Sequence, residues 1–423
     1  MKNLIKKEKI KEIYGNYFES LSVFLKWVAA GIMLGIFGGL IGTAFCYALS
    51  FVTEFRNAYP VIIWGLPLGG LLIVLLFKKS GLHPTDTNGI LLAVHTPARI
   101  SASTGPLIFI GSVITHLFGG SAGREGAALQ LGGVLGWHMA KLFRQDEKDT
   151  HIVVMAGMSA VFAALFGTPI TAAVFAMEVA SVGILHFSAL VPCLAASLTA
   201  SHLAVKLGVA PEAFSITAAP HLLSSNIYGT VIIAVSCAVL SIVLCVGLHK
   251  GHRIAKKFLP NPYLRIAAAG LTISILTWLL GTNDYNGAGM HIVEKAMHGE
   301  AAPEAFALKL IFTIITMSCG YKGGEIVPAM FIGSTAGCVI GNMLGMPAGL
   351  GASVGLLSMF CGSLNCPISA IFLGLELFGS EYIHFFAIAS AVSYILSGTF
   401  SLYHEQKIIY SKLHPQFINK YAE

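Results

Sequence analysis

One pattern of apolar and small residues occurs twice in this chain. Gly167-Thr-Pro-Ile-Thr-Ala-Ala-Val-Phe-Ala-Met-Glu178 returns as Asn365-Cys-Pro-Ile-Ser-Ala-Ile-Phe-Leu-Gly-Leu-Glu376. An earlier block does the same: Gly120, Gly123, Glu125 and Gly133 fall on Gly320, Gly323, Glu325 and Gly333, and Phe162 on Phe360. Two blocks repeated in the same order mean one duplicated architecture.

The chain between these blocks is apolar. Hydrophobic residues make up 55% of the 423 positions and charged ones 11%, against about 25% charged in a soluble domain. A helix needs roughly 20 apolar residues to cross a bilayer. Segments 23–52 and 61–77 are long enough, whereas 106–118, 152–166 and 366–378 are short and cut by Gly or Pro. The expectation is an all-α polytopic membrane protein made of two repeated halves of tilted and broken helices. If each half crosses an odd number of times, the second is inverted.

Residues 1–20 carry Lys2, Lys6, Lys7, Lys9 and Lys11, with Leu4, Ile5, Ile10, Ile13 and Tyr17 at helical spacing. They read as an amphipathic helix on the cytoplasmic face. The first membrane repeat covers 21–205 and the second 206–402. A cytoplasmic tail, 403–423, leaves no room for a separate soluble regulatory domain. Placing the basic clusters inside puts both termini in the cytoplasm. The net charge of +6 belongs to these flanks and calls for no nucleic acid. The eight cysteines lack CxxC spacing and read as small core residues, so no metal or cofactor is expected.

Ionisable groups at membrane depth are costly and mark function. Glu125 lies in Gly123-Arg124-Glu125-Gly126, and Glu325 in Gly323-Gly324-Glu325. A glycine-rich break before a helix leaves N–H groups aimed into a gap, where they favour an anion. The candidate anion-binding positions are therefore Gly123, Arg124, Gly126, Gly323, Gly324, Ile326 and Val327; close helix packing through small residues is the plain alternative. A carboxylate among such N–H groups can itself fill the anion site. Protonated, it leaves, and an anion enters. An ion pair between Arg124 and Glu125 is awkward on a helix, where neighbours diverge by about 100°. Glu325 is a second proton relay or an acceptor that orders backbone N–H groups. Glu178 and Glu376, with Pro169 and Pro367, read as structural. A third break, Asp86-Thr87-Asn88, offers helix caps or an amide donor, with Asn283 to Gly289 as its counterpart, and Tyr403 offers a phenol. A serine protease built on Ser121 with His116 or His291 finds no recognisable spacing, so no enzyme is expected.

With these residues in place, the chain resembles the CLC family of chloride channels and anion/proton antiporters. Gly123-Arg-Glu-Gly126 is similar to the family's gating GREG(P) motif, with Ala127 in place of proline. Gly167–Glu178 resembles the segment after the gate, and Leu396-Ser-Gly-Thr-Phe-Ser-Leu-Tyr403 the stretch ending in the anion-coordinating tyrosine. Asn88 stands at the filter-serine position, Glu325 replaces an isoleucine in the second-half motif, and Val179 stands where chloride/proton antiporters carry an internal proton glutamate. These departures resemble the fluoride-exporting branch. The resemblance implies fluoride export coupled to proton entry across the cell membrane, with a chloride-selective antiporter or passive chloride channel as the alternative. It also implies a homodimer joined through about 168–205 and 366–396.

Overall fold

The structure is a computed structural model describing residues 2–81, 87–96, 99–216 and 224–423, with side chains from 18 onward except 224. Asp86 lies outside the described residues. The first half contributes α1 (Lys2–Ala58), α2 (Leu66–Lys79), α3 (Thr87–His95), α4 (Thr104–Leu117), α5 (Glu125–Leu142), α6 (Glu147–Phe166), α7 (Pro169–Glu178) and α8 (Leu190–Lys206). The second contributes α9 (Ser224–Phe258), α10 (Pro262–Leu280), α11 (Met290–Met297), α12 (Ala305–Ser318), α13 (Ile326–Met343), α14 (Leu350–Leu364), α15 (Pro367–Phe378) and α16 (Ile383–Leu396). Seven stretches among the described residues are long and apolar enough to cross a membrane, including Phe18–Ala58 and Pro60–Lys79. α1 runs unbroken from Lys2, so the basic N-terminal stretch is the start of the first long helix. Its amphipathic face lies outside the described side chains.

Local sequence sets the breaks. α6 ends where Gly167 takes φ 70°, and α14 ends where Asn365 takes φ 58°. These are the two residue types that best tolerate a left-handed helix cap. Two residues later Pro169 and Pro367 open new helices, where a missing N–H costs nothing. Glu178, at the end of α7, accepts from the N–H groups of Ile368 (3.1 Å) and Ser369 (2.8 Å) at the start of α15. Glu376 in α15 accepts from Ile170 (2.9 Å) and Thr171 (2.7 Å) at the start of α7. The two helices therefore run antiparallel, and the pseudo-two-fold that exchanges them is perpendicular to both. The second half is inverted.

The same axis corrects the register read from the sequence. Glu125 is the first residue of α5, and its counterpart is Ile326, the first residue of α13; Glu325 is the counterpart of the N-cap residue Arg124. Packing agrees: Gly132 lies against the Gly157 carbonyl and Gly333 against that of Gly355. The glycine doublets Gly132-Gly133 and Gly323-Gly324 each offer two alignments, and matching by identity selects the wrong one. The two breaks correspond, but the two acids do not occupy equivalent positions.

The all-helical reading also had no strands. Residues beyond Tyr403 form β2 (Lys407–Tyr410) and β3 (Phe417–Tyr421), an antiparallel hairpin whose β2 pairs in parallel with β1 (Ser181–Val182) after α7. The tail is thus stitched to the first half.

Candidate functional site

At the centre, Gly123 and Gly324 exchange two backbone hydrogen bonds, N–H to carbonyl, at 2.7 and 2.8 Å. This bridge brings the N-terminal ends of α5 and α13 together. A Cβ on Gly126 would lie 2.8 Å from the Gly324 Cα, so only glycine allows this approach.

Glu125 is fully buried. Its carboxylate folds back over the start of its own helix: Oε2 accepts from the Arg124 N–H at 2.9 Å, and Oε1 faces Arg124 Nε at 3.3 Å. It sits where the positive end of α5 would hold an anion. The Arg124–Glu125 pair, awkward by helical spacing, is therefore present. Arg124 is the cap and lies outside the helix, so the divergence rule does not bind it. The same guanidinium reaches Glu212 and, at 3.6 Å, the Cys46 Sγ.

On the other side of the bridge, Glu325 Oε2 lies 3.3 Å from the place a Gly126 Cβ would take. Behind Glu325, α13 opens with buried Ile326 and Val327, and Pro328 brings no N–H. Gly323 and Gly324 complete this turn. Tyr403 is buried, with the Thr87 hydroxyl beside its own and both Glu325 and Glu125 within electrostatic reach. Thr87 accepts from Gln130 Nε2 at 2.9 Å. Asn88 Oδ1 accepts from the Glu405 N–H at 3.3 Å, which ties the start of α3 to the segment carrying Tyr403. The predicted acids, glycines, filter positions and tyrosine thus converge on one place. Glu178, Glu376, Pro169 and Pro367 sit apart, at the α7–α15 contact.

Two cavities approach this centre. One, of about 710 Å³, lies beside the C-terminal end of α2 and is lined by Lys78, Lys256, Arg265, Lys322, Gln130 and Glu325. The other, of about 570 Å³, lies at the C-terminal end of α1 and is lined by Arg56, His116, Arg124 and Glu212 among others. α1 and the stretch Pro60–Lys79 ending in α2 are both long and apolar enough to cross a membrane in succession, which would put the two cavities on opposite faces.

Four residues escaped the sequence reading. Gln406 is fully buried, accepts from Asn365 Nδ2 at 2.9 Å, and donates to the carbonyls of Val179 (2.8 Å) and Leu364 (2.7 Å). It fixes the Tyr403 segment to the C-terminal ends of α7 and α14. Lys309, buried in α12, donates to Tyr285 O (3.1 Å) and Gly287 O (2.6 Å) and holds the α10–α11 loop. That loop in turn bonds the first break through Gly287 N to Gly120 O at 3.1 Å. Gln130 and Lys309 had a signal, a polar group inside an apolar helix. Glu212 and Gln406 lie in connecting segments and had none.

The family described as "Voltage gated chloride channel" matches residues 69–398 of this chain. The chain belongs to the CLC family of voltage gated chloride channels. This CLC chain is 32% identical over 403 residues to a chloride/fluoride channel protein of Pseudomonas syringae pv. tomato, covering 93% of this chain and 89% of that one. Among solved structures it is similar to a CLC-type fluoride/proton antiporter, with a TM-score of 0.87 and 32% identity over 92% of this chain and 98% of the other. A slow cyanobacterial Cl⁻/H⁺ antiporter, 18% identical, shares the fold at a TM-score of 0.78 over 88% of this chain and 94% of that one.

Proposed function

We propose that this CLC protein exports fluoride in exchange for protons. One observation carries the reading: the buried Glu125 carboxylate folds back over the start of α5, where helix N–H groups would favour an anion. Carboxylate and halide compete for one set of N–H groups, so protonation of Glu125 and anion entry are linked. Two similar proteins support fluoride as the cargo, the chloride/fluoride channel protein and the fluoride/proton antiporter, each 32% identical to this chain. Fluoride is small and charge-dense, and its dehydration calls for well-placed donors such as an amide or a phenol. Asn88 and Tyr403 supply those types. Glu325 is the second proton station. The cavity rich in Lys and Arg is the cytoplasmic vestibule by the positive-inside rule, and both termini then lie in the cytoplasm. Two copies pair in the cell membrane through the α7–α8 and α15–α16 regions, where Ile170, Leu198 and Ile368 remain exposed.

The test uses purified protein in liposomes loaded with fluoride or chloride, with ion-selective electrodes and an internal pH dye. Fluoride efflux that drives proton uptake against a proton gradient, with little chloride flux, is the expected result. Rapid chloride flux without proton movement would instead make the protein a passive chloride channel.

A further inference from the structure

We propose that Glu212 is a positioning residue for the gate. Its negative charge offsets the Arg124 field and so keeps the Glu125 carboxylate free to leave its seat. The inference rests on fluoride/proton exchange as the activity.

Glu212 lies on the segment after α8. Its backbone N–H donates to Phe166 O at 3.0 Å, at the end of α6, and the neighbouring Pro211 packs on Gly167. The residue is anchored. Its carboxylate reaches one terminal nitrogen of Arg124, while Arg124 Nε faces Glu125 and the other terminal nitrogen faces Cys46. One guanidinium, with its donors in a fixed fork, thus serves two carboxylates. Their surroundings differ: the Glu125 side chain is 0% exposed, and that of Glu212 is 24% exposed and lines the cavity of about 570 Å³. Of the two acids on Arg124, Glu212 is the one that meets solvent.

The consequence concerns how firmly Glu125 is held. A second carboxylate on the same arginine adds its own negative field, which offsets part of the guanidinium's positive potential at the first. With Glu212 neutralised, the Arg124 field at Glu125 is no longer offset, and the gate stays seated longer. Glu212 pairs with Arg124, and its charge opposes at Glu125 the positive field of that guanidinium.

The experiment is a double-mutant cycle on the full-length protein in liposomes. Glu212→Gln is expected to slow coupled fluoride efflux about fivefold, and Glu212→Asp, which keeps the charge, to stay within about twofold of wild type. In a Glu125→Gln background the added Glu212→Gln should change neither passive fluoride flux nor fluoride binding by calorimetry. Equal slowing in both backgrounds, an unaffected Glu212→Gln, or an Asp variant as slow as the Gln variant would overturn the proposal. Failure of Glu212→Gln to fold would do the same, since it marks a structural role. Wild-type protein without fluoride/proton exchange would overturn the functional reading instead, and the parallel wild-type measurement separates the two failures.

Discussion

Glu125 and Glu325 flank the same glycine bridge and are served by different cavities. Glu125 is held by Arg124, which lines the cavity at the end of α1, and Glu325 itself lines the cavity at the end of α2. Tyr403 is buried near enough for the charge of either acid to act on it. In the exchange proposed above, a proton would meet one carboxyl on each side of the bridge.

Glu125→Gln keeps the shape of the side chain and removes its titration. Proton movement coupled to fluoride is expected to vanish while passive fluoride flux remains. An internal pH dye in fluoride-loaded liposomes reads this, and proton uptake at the wild-type ratio would exclude Glu125 as the gate.

Glu325→Gln removes the second station. Turnover should fall by about 10², the usual scale for losing a proton-transfer group. Oligomer size on gel filtration and the unfolding temperature should stay at wild-type values. A variant that fails to assemble would assign Glu325 to holding the α13 turn.

Asn88→Ser shortens the side chain that reaches the Glu405 N–H. The fluoride-to-chloride flux ratio should drop about tenfold, equivalent to about 1.4 kcal/mol of discrimination. An unchanged ratio in paired electrode measurements would put selectivity elsewhere along the path.

Glu178→Ala and Glu376→Ala each strip two helix-start N–H groups of their acceptor, at a cost of about 1–3 kcal/mol. Glu178 is the more buried of the two, so its loss should lower the unfolding temperature further. Equal shifts in detergent-solubilised protein would show that water replaces both caps alike.

The membrane character, the duplication and the residues of the central site were legible because each leaves a chemical mark. Glu125 and Glu325 stand out as acids in apolar surroundings, and Pro169 and Pro367 as paired helix starts. The register was not legible at the glycine doublets, where identity and packing disagree by one position. The hairpin was hidden as well: Lys407-Ile-Ile-Tyr410 and Phe417-Ile-Asn-Lys-Tyr421 are short, and the pairing of the first with Ser181-Val182 depends on contacts far apart in the chain. The Arg124 pair required knowing that Arg124 caps the helix from outside it.

The one-residue shift at the bridge reaches beyond alignment. An inverted duplication with identical halves would look the same from either solution and would work alike in both insertions. Here the first half offers arginine followed by glutamate where the second offers glutamate followed by isoleucine. The molecule therefore has a front and a back, and the rates of exchange seen from its two sides need not match even when the gradients are mirrored.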